Sequence, residues 1–228
     1  MVTLALLHTS TAHIPVFDAL RDADHPGLAL RHLVHEDLLA RARAEGPDAV
    51  ADDVRAALVE AAEGADAVLC TCSTIGGVAE SHAVAAGVPV LRVDRPMAAA
   101  AVRAGPVVAV VATVASTLEP TAALVREEAA RAGRPVDIRT VLVDGAWERF
   151  AAGDREGHLR LVAGVVERVA GTVGAVVLAQ ASMADAADRA PAGTPVLSSP
   201  RTGLSAAARL SGHPMEAPAT APPADPAP

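Results

Sequence analysis

Short, nearly continuous apolar runs recur along the chain at Val2–Leu7, Asp66–Cys70, Val88–Val93, Pro106–Ala112, Gly174–Ala179 and Thr194–Ser198. Such runs are the mark of strands covered on both faces. The stretch Leu28–Val34 reads as a further strand. Between the runs lie Ala/Arg/Glu-rich segments of helical character, clearest over Asp48–Gly64, Thr117–Gly133 and Asp154–Gly171. Each of these closes on a glycine, as a helix C-terminus prefers. Strand, helix, strand in this order predicts parallel sheets with helices on both faces and right-handed crossovers. The expected fold class is α/β.

The pattern also repeats. ADAVLCTCSTIGGVAE from Ala65 aligns with VGAVVLAQASMADAAD from Val173 at an offset of 108, placing Cys72 opposite Gln180 and Thr74 opposite Ser182. GVPVLRVDRP from Gly87 aligns with GTPVLSSPR from Gly193 at 106, and LLHTSTAHIPV from Leu6 aligns with VVATVASTLEPT from Val110 at about 104. Three matches in one order at nearly one offset predict two pseudo-symmetric three-layer α/β halves with parallel sheets. The expected halves are residues 1–97 and 98–203, with 204–212 packing back on the first. The Pro/Ala-rich stretch 213–228 cannot form a packed helix or a central strand and reads as a disordered tail.

Composition narrows the setting. The 228 residues are 51% hydrophobic with a mean hydropathy of +0.33, enough for a large core in one or two compact domains. No apolar run reaches the length of a bilayer span, and no basic residue precedes His8 to start a secretory signal. The expected location is therefore the cytoplasm, with no membrane partner. A net charge of −8 and a pI near 5.4 speak against nucleic acid. Lys, Asn and Tyr are absent and Gln occurs once, a skew read as that of a GC-rich coding sequence.

Polar residues cluster where the strands should end. His8-Thr9-Ser10-Thr11, Thr71-Cys72-Ser73-Thr74, Thr113 with Ser116-Thr117, Ser182, and Ser198-Ser199 all follow predicted strands. In parallel α/β sheets ligands bind at that edge, where helix N-termini present free N–H groups. A rim rich in hydroxyls suits a small carboxylate, although any one cluster would serve equally as a helix cap. The substrate-binding candidates are Thr9, Ser10, Ser73, Thr74, Thr113, Ser116, Thr117, Ala181 and Ser182.

Both cysteines fall within three positions. They are poorly placed to bridge each other. Cys70 is expected to point into the core as a small hydrophobe. Cys72, at the strand end before a helix, is placed to act as general acid, general base or nucleophile, the other reading being an inert buried thiol. Cys-x-Cys is not a zinc spacing, and His32 and His35 would face opposite sides of their strand, so no metal is expected. Neither a P-loop nor a Gly-x-Gly-x-x-Gly loop occurs, so no nucleotide site is supported and no cofactor is expected. Glu80, Asp144, Trp147 and His158 either line the entrance or lie on helix and loop surface, and surface is the expectation.

Duplicated α/β halves, Cys72-Ser73-Thr74 at a strand end, VVATVASTLEPT from Val110, VVLAQASMA from Val176 and PVLSSPRTG from Pro195 resemble the aspartate/glutamate/hydantoin racemase superfamily. The resemblance runs to about Leu210. It implies a pocket between the halves where two cysteines, one from each half, exchange a proton at a substrate α-carbon without a cofactor. Cys72 matches the first of these. Gln180 stands where the second should be, and His8 replaces the acidic residue after the first strand. The resemblance therefore implies catalytic roles for Cys72, His8 and Gln180. Gln180 can donate hydrogen bonds but not protons, while His8 is expected to titrate near neutrality and to supply a second acid/base group.

Three functions follow as expectations. One is a cofactor-independent enzyme working through a single thiol at the carbon next to a carboxylate, as an isomerase or racemase or as a decarboxylase of a malonate-like acid. The second is a small-carboxylate-binding protein without chemistry. The third is a thiol hydrolase or transferase. A symmetric homodimer is expected from the chain's size and hydrophobicity and from the resemblance.

Overall fold

The computed structural model describes residues 2–189 and 193–213. The tail expected over 213–228 lies outside them except for its first residue. The elements run β1 (Thr3–His8), α1 (Ile14–Asp24), β2 (Ala29–Val34), α2 (Glu36–Glu45), α3 (Ala51–Ala62), β3 (Ala67–Cys70), α4 (Ser73–Ser81), α5 (Ala83–Ala86), β4 (Val90–Arg92) and α6 (Arg95–Ala104). They continue as β5 (Val107–Ala112), α7 (Leu118–Arg131), β6 (Asp137–Leu142), α8 (Ala146–Ala151), α9 (Arg155–Ala170), β7 (Ala175–Leu178), a 3-10 segment (Ala181–Arg189), β8 (Val196–Ser198) and α10 (Ser199–Leu210). Among the described residues no helix is long and apolar enough to cross a membrane.

The strands form two four-stranded sheets, ordered β2-β1-β3-β4 and β6-β5-β7-β8, with every pairing parallel. The registers coincide as well as the orders. Leu4 pairs with Ala67 in the first sheet and Val108 with Ala175 in the second, so β1 maps onto β5 at a shift of 104 and β3 onto β7 at 108. Val68 opposite Val90 and Val176 opposite Val196 give 106 for β4 and β8. These are the offsets of the sequence repeat, and they make Cys72 and Gln180 equivalent positions in the two halves.

The inner strands are buried, β3 and β7 completely and β1 and β5 but for their half-buried first residues. Alternation divides their side chains between two helical layers. In the first sheet Ala5, Leu7, Val68 and Cys70 face α3 and α4, while Leu4, Leu6, Ala67 and Leu69 face Phe17 of α1 and Leu204, Ala207 and Ala208 of α10. In the second, Ala109, Val111, Val176 and Leu178 meet α9, while Val108, Val110, Ala175 and Val177 meet α7 and Met97, Ala98, Ala101 and Val102 of α6. Each fully buried Leu or Val contributes about 1.5–3 kcal/mol relative to exposure.

The halves thus exchange helices. α6 follows the last strand of the first sheet yet packs on the second, and α10 follows the last strand of the second yet packs on the first. α10 crosses close to the end of β4: a Cβ on Gly203 would lie 2.6 Å from the Val93 carbonyl oxygen. Only glycine fits that approach.

The predicted helices close as expected at Gly64 and Gly133, whose φ angles of 67° and 61° are left-handed. Helix α9 begins with the Asp154 carboxylate accepting from the Gly157 N–H at 2.8 Å. Strand β6 was not predicted. It is an edge strand carrying Asp137, Arg139 and Thr140, with four of its six residues exposed, so it lacks the continuous apolar run that marks its neighbours.

Candidate active site

The thiol region is assembled where β3 gives way to α4. Cys70, the last residue of β3, is wholly buried on the α3/α4 face. Its Sγ lies 3.7 Å from the Cys72 carbonyl oxygen, and burial pushes its thiol pKa well above the ordinary range. Cys70 is therefore a neutral core residue, as expected. Cys72 occupies the N-cap position of α4 with extended backbone (φ −102°, ψ 116°) and 6% exposure. Among the described residues no side chain caps this helix. Its first-turn N–H groups are free to bind an anion beside the thiol, and the helix dipole favours negative charge there.

At the equivalent place in the second half, Gln180 follows β7. Its Oε1 accepts hydrogen bonds from the Thr113 N–H at 2.7 Å and the Thr113 hydroxyl at 2.9 Å. The Gln180 oxygen is thereby committed to the protein, and its NH₂ is the face left to donate outward.

His8 departs from expectation. It is fully buried, and burial, followed by the charges of His32 and His13, pushes its pKa down to about 3. It does not titrate near neutrality. Nor do its ring nitrogens serve Cys72: Nδ1 is 2.8 Å from Thr71 Oγ1 and Nε2 is 2.8 Å from His32 Nδ1. His32 and His35 diverge as predicted, the first toward His8 and Asp18 and the second toward Glu60 at 3.6 Å. Among the described residues no group of three or more His, Cys, Asp or Glu could hold a metal ion.

The hydroxyl candidates divide into two groups. Ser10 caps the turn before α1, accepting from the Ala12 N–H at 3.3 Å, and Thr117 donates to the Val114 carbonyl at 2.8 Å. With Thr113 engaged by Gln180, these three are structural in part. Thr9, Ser73, Thr74, Ser116 and Ser182 make no side-chain hydrogen bond among the described residues. Thr74 and Ser116 are exposed, Ser73 and Ser182 half-buried, and Thr9 buried. Ala181 opens the 3-10 segment directly after Gln180.

A cavity of about 690 Å³ is found away from the thiol. It lies between the halves, against Pro15, Val16 and Leu20 of α1 on one side and Ala184, Ser198 and Arg201 on the other. It opens beside the turns that follow His8 and Gln180, but of the hydroxyl clusters only Ser198 lines it.

Sequence reasoning missed the buried pair beneath α4. Arg92 Nε donates to Asp94 Oδ1 at 2.6 Å and Nη2 to Oδ2 at 2.9 Å, with the guanidinium lying over Gly76. The available signal was an arginine inside the apolar run Val88–Val93. Two surface expectations also change. His158 is completely buried, its Nδ1 donating to the Ala146 carbonyl at 2.9 Å, with Phe150 packed on its ring. Glu80 is largely covered and paired with Arg95.

Two equivalent parallel sheets and exchanged helices define a duplicated α/β protein, with a candidate site at the strand end where the thiol sits at a helix N-cap. The chain belongs to the Asp/Glu/Hydantoin racemase family, whose model matches residues 7–207. Its fold is similar to that of Picrophilus torridus aspartate racemase (TM-score 0.70, 12% identity, covering 95% of this chain and 96% of that one). Glutamate racemase from Aquifex pyrophilus is also similar (0.54, 14%, covering 90% and 82%), as is arylmalonate decarboxylase (0.63, 20%, covering 96% of each). At these identities the likeness is one of fold. No curated protein matches the sequence.

Proposed function

We propose that the protein is a cofactor-independent enzyme that transfers a proton at the carbon next to a carboxylate in a small acid, with Cys72 as its only acid/base thiol. The reading is carried by the asymmetry of the two equivalent strand ends: Cys72 at an uncapped helix N-terminus in one half, and Gln180, fixed by Thr113, in the other. Substrate carboxylate would sit against the α4 N–H groups with the Ser73, Thr74 and Ser182 hydroxyls, and the Gln180 amide would donate to a developing enediolate oxygen.

A single thiol supports two reactions of the family's kind. As an isomerase, Cys72 would remove and return the proton itself. As a decarboxylase of a malonate-like acid, the bond to the departing CO₂ would break and leave its electron pair in an enediolate. Cys72 would then protonate the carbon, and water would restore the thiol. The second reaction is favoured by the state of His8, which is neutral and spent on Thr71 and His32 and so is not available to the thiol as a second acid/base.

The test is deuterium incorporation from D₂O into aspartate, glutamate, hydantoins and substituted malonates, followed by NMR with the native protein and Cys72→Ala. Label at the α-carbon only with Cys72 present is the expected result, with the variant slower by at least about 10²-fold. Release of CO₂ alongside the label identifies a decarboxylase, and its absence an isomerase. Ligand-dependent stabilisation of both proteins with no label from any compound would replace the enzyme reading by that of a binding protein.

A further inference from the structure

Four polar side chains beside the thiol region form one continuous chain. Asp18 Oδ1 is 3.3 Å from His32 Nε2, His32 Nδ1 is 2.8 Å from His8 Nε2, and His8 Nδ1 is 2.8 Å from Thr71 Oγ1. Strand pairing produces it. Leu6 is opposite His32 across β1 and β2, and His8, two residues on, shares the face of Leu6, so the two histidines are diagonal neighbours. Helix α1 covers this face and supplies Asp18. Thr71, one residue beyond β3, closes the chain immediately before Cys72.

Counting protons leaves two consistent arrangements. In the first, His32 is neutral: its Nε2–H donates to Asp18, its Nδ1 accepts from the His8 Nε2–H, and His8 Nδ1 accepts from the Thr71 hydroxyl. In the second, one added proton makes His32 an imidazolium facing the Asp18 carboxylate. The His32 Nδ1–H then donates to His8 Nε2, His8 becomes the Nδ1–H tautomer and donates to Thr71 Oγ1, and the Thr71 hydroxyl turns to the Leu7 carbonyl, 3.1 Å away. Leu7 O keeps the Thr71 N–H at 3.0 Å in both. His8 is neutral in both.

We propose that Asp18, His32 and His8 are positioning residues: a proton on His32, balanced by Asp18, reverses every hydrogen bond of the chain and turns the hydroxyl of the residue before Cys72. The side chains of Asp18 and His32 are 40% and 16% exposed, so the charged end of the chain lies toward solvent, while His8 is sealed. The depressed basicity of His8 agrees with its place as the neutral link. The charged and titratable groups around His32 are Asp18 and Arg21 of α1, with Arg21 Nη2 3.5 Å from Asp18 Oδ1, His8 of β1, and His13, whose ring centre is 6.0 Å from that of His8. Its strand neighbour Arg31 is turned to the Ala61 carbonyl, and Glu60 of α3 pairs with His35. The effect on catalysis by Cys72 rests on the proton-transfer reading, but the chain itself does not.

The test needs no substrate: ¹⁵N spectra of the histidine side chains of the full chain, recorded from about pH 5 to 8. The expected result is that His8 stays neutral while its tautomer changes from Nε2–H to Nδ1–H at the pH where His32 gains its proton. In Asp18→Asn both changes move together to lower pH, because the counter-charge is gone. A His8 that keeps one tautomer while His32 titrates, or that itself becomes an imidazolium, overturns the proposal. The native titration decides the coupling even if the variant fails to fold.

Discussion

At the scale of single residues, burial acts on Cys70 and His8 in opposite directions with one outcome. Taking a thiol out of water raises its pKa and taking an imidazole out lowers it, so each group stays neutral near pH 7. For His8 this has a consequence for stability. Its folded pKa of about 3 lies below the ordinary value of 6.5, so the unfolded chain binds the extra proton first as pH falls. The contribution is fully present above about pH 6.5 and is lost progressively toward pH 3, with a limiting slope of about 1.4 kcal/mol per pH unit for one proton. Denaturant titrations over that range should show stability falling with acid, and His8→Gln should flatten the slope by close to one proton. An unchanged slope would contradict the buried neutral state. The position of Cys72 was legible because a thiol after an apolar run and before a helical stretch has one place to go in a parallel sheet. The state of His8 was not, since its partners, His32 on β2 and Thr71 after β3, depend on which strands lie beside β1.

Among the elements, signal strength followed burial. β3 and β7, covered on both faces, are continuous apolar runs, while β6, with one neighbour and solvent on its outer edge, tolerates Asp137 and Arg139 and looks like a loop. Helix α10 shows the limit from the other side. Its amphipathic pattern alone says only that one face is covered; the first sheet covers it, the half on which 204–212 is expected to pack. That packing depends on Gly203, where a methyl group would meet the Val93 carbonyl oxygen at 2.6 Å. Gly203→Ala should therefore destabilise the protein by about 1–3 kcal/mol in chemical denaturation despite the gain in helix propensity. A neutral or stabilising effect would mean that α10 sits farther from β4.

For the whole molecule, the join between halves is carried by the exchanged helices and by Arg95. This side chain, 12% exposed at the start of α6, binds Glu80 of α4, above the first sheet, and Glu127 and Glu128 of α7, on the second. Replacing it with methionine would leave Glu80 without its cation and Glu128 with only Arg131, 3.7 Å away. Loss of one partner from such a set costs about 3–5 kcal/mol. Arg95→Met should show that loss in thermal and denaturant unfolding, and the two halves should then unfold less cooperatively by different probes. A variant as stable as the native chain would show the network to be solvated. The sequence by itself determined the fold class, the duplication and its three offsets, and the place of Cys72 at a strand end, because period, run length and repetition are local properties of the chain. Only the tertiary structure decided that α6 crosses to the second sheet, that His8 is locked between Thr71 and His32, and that Gln180 is held by Thr113. These depend on contacts between residues far apart in sequence, and pattern along a chain does not record which distant segment becomes a neighbour.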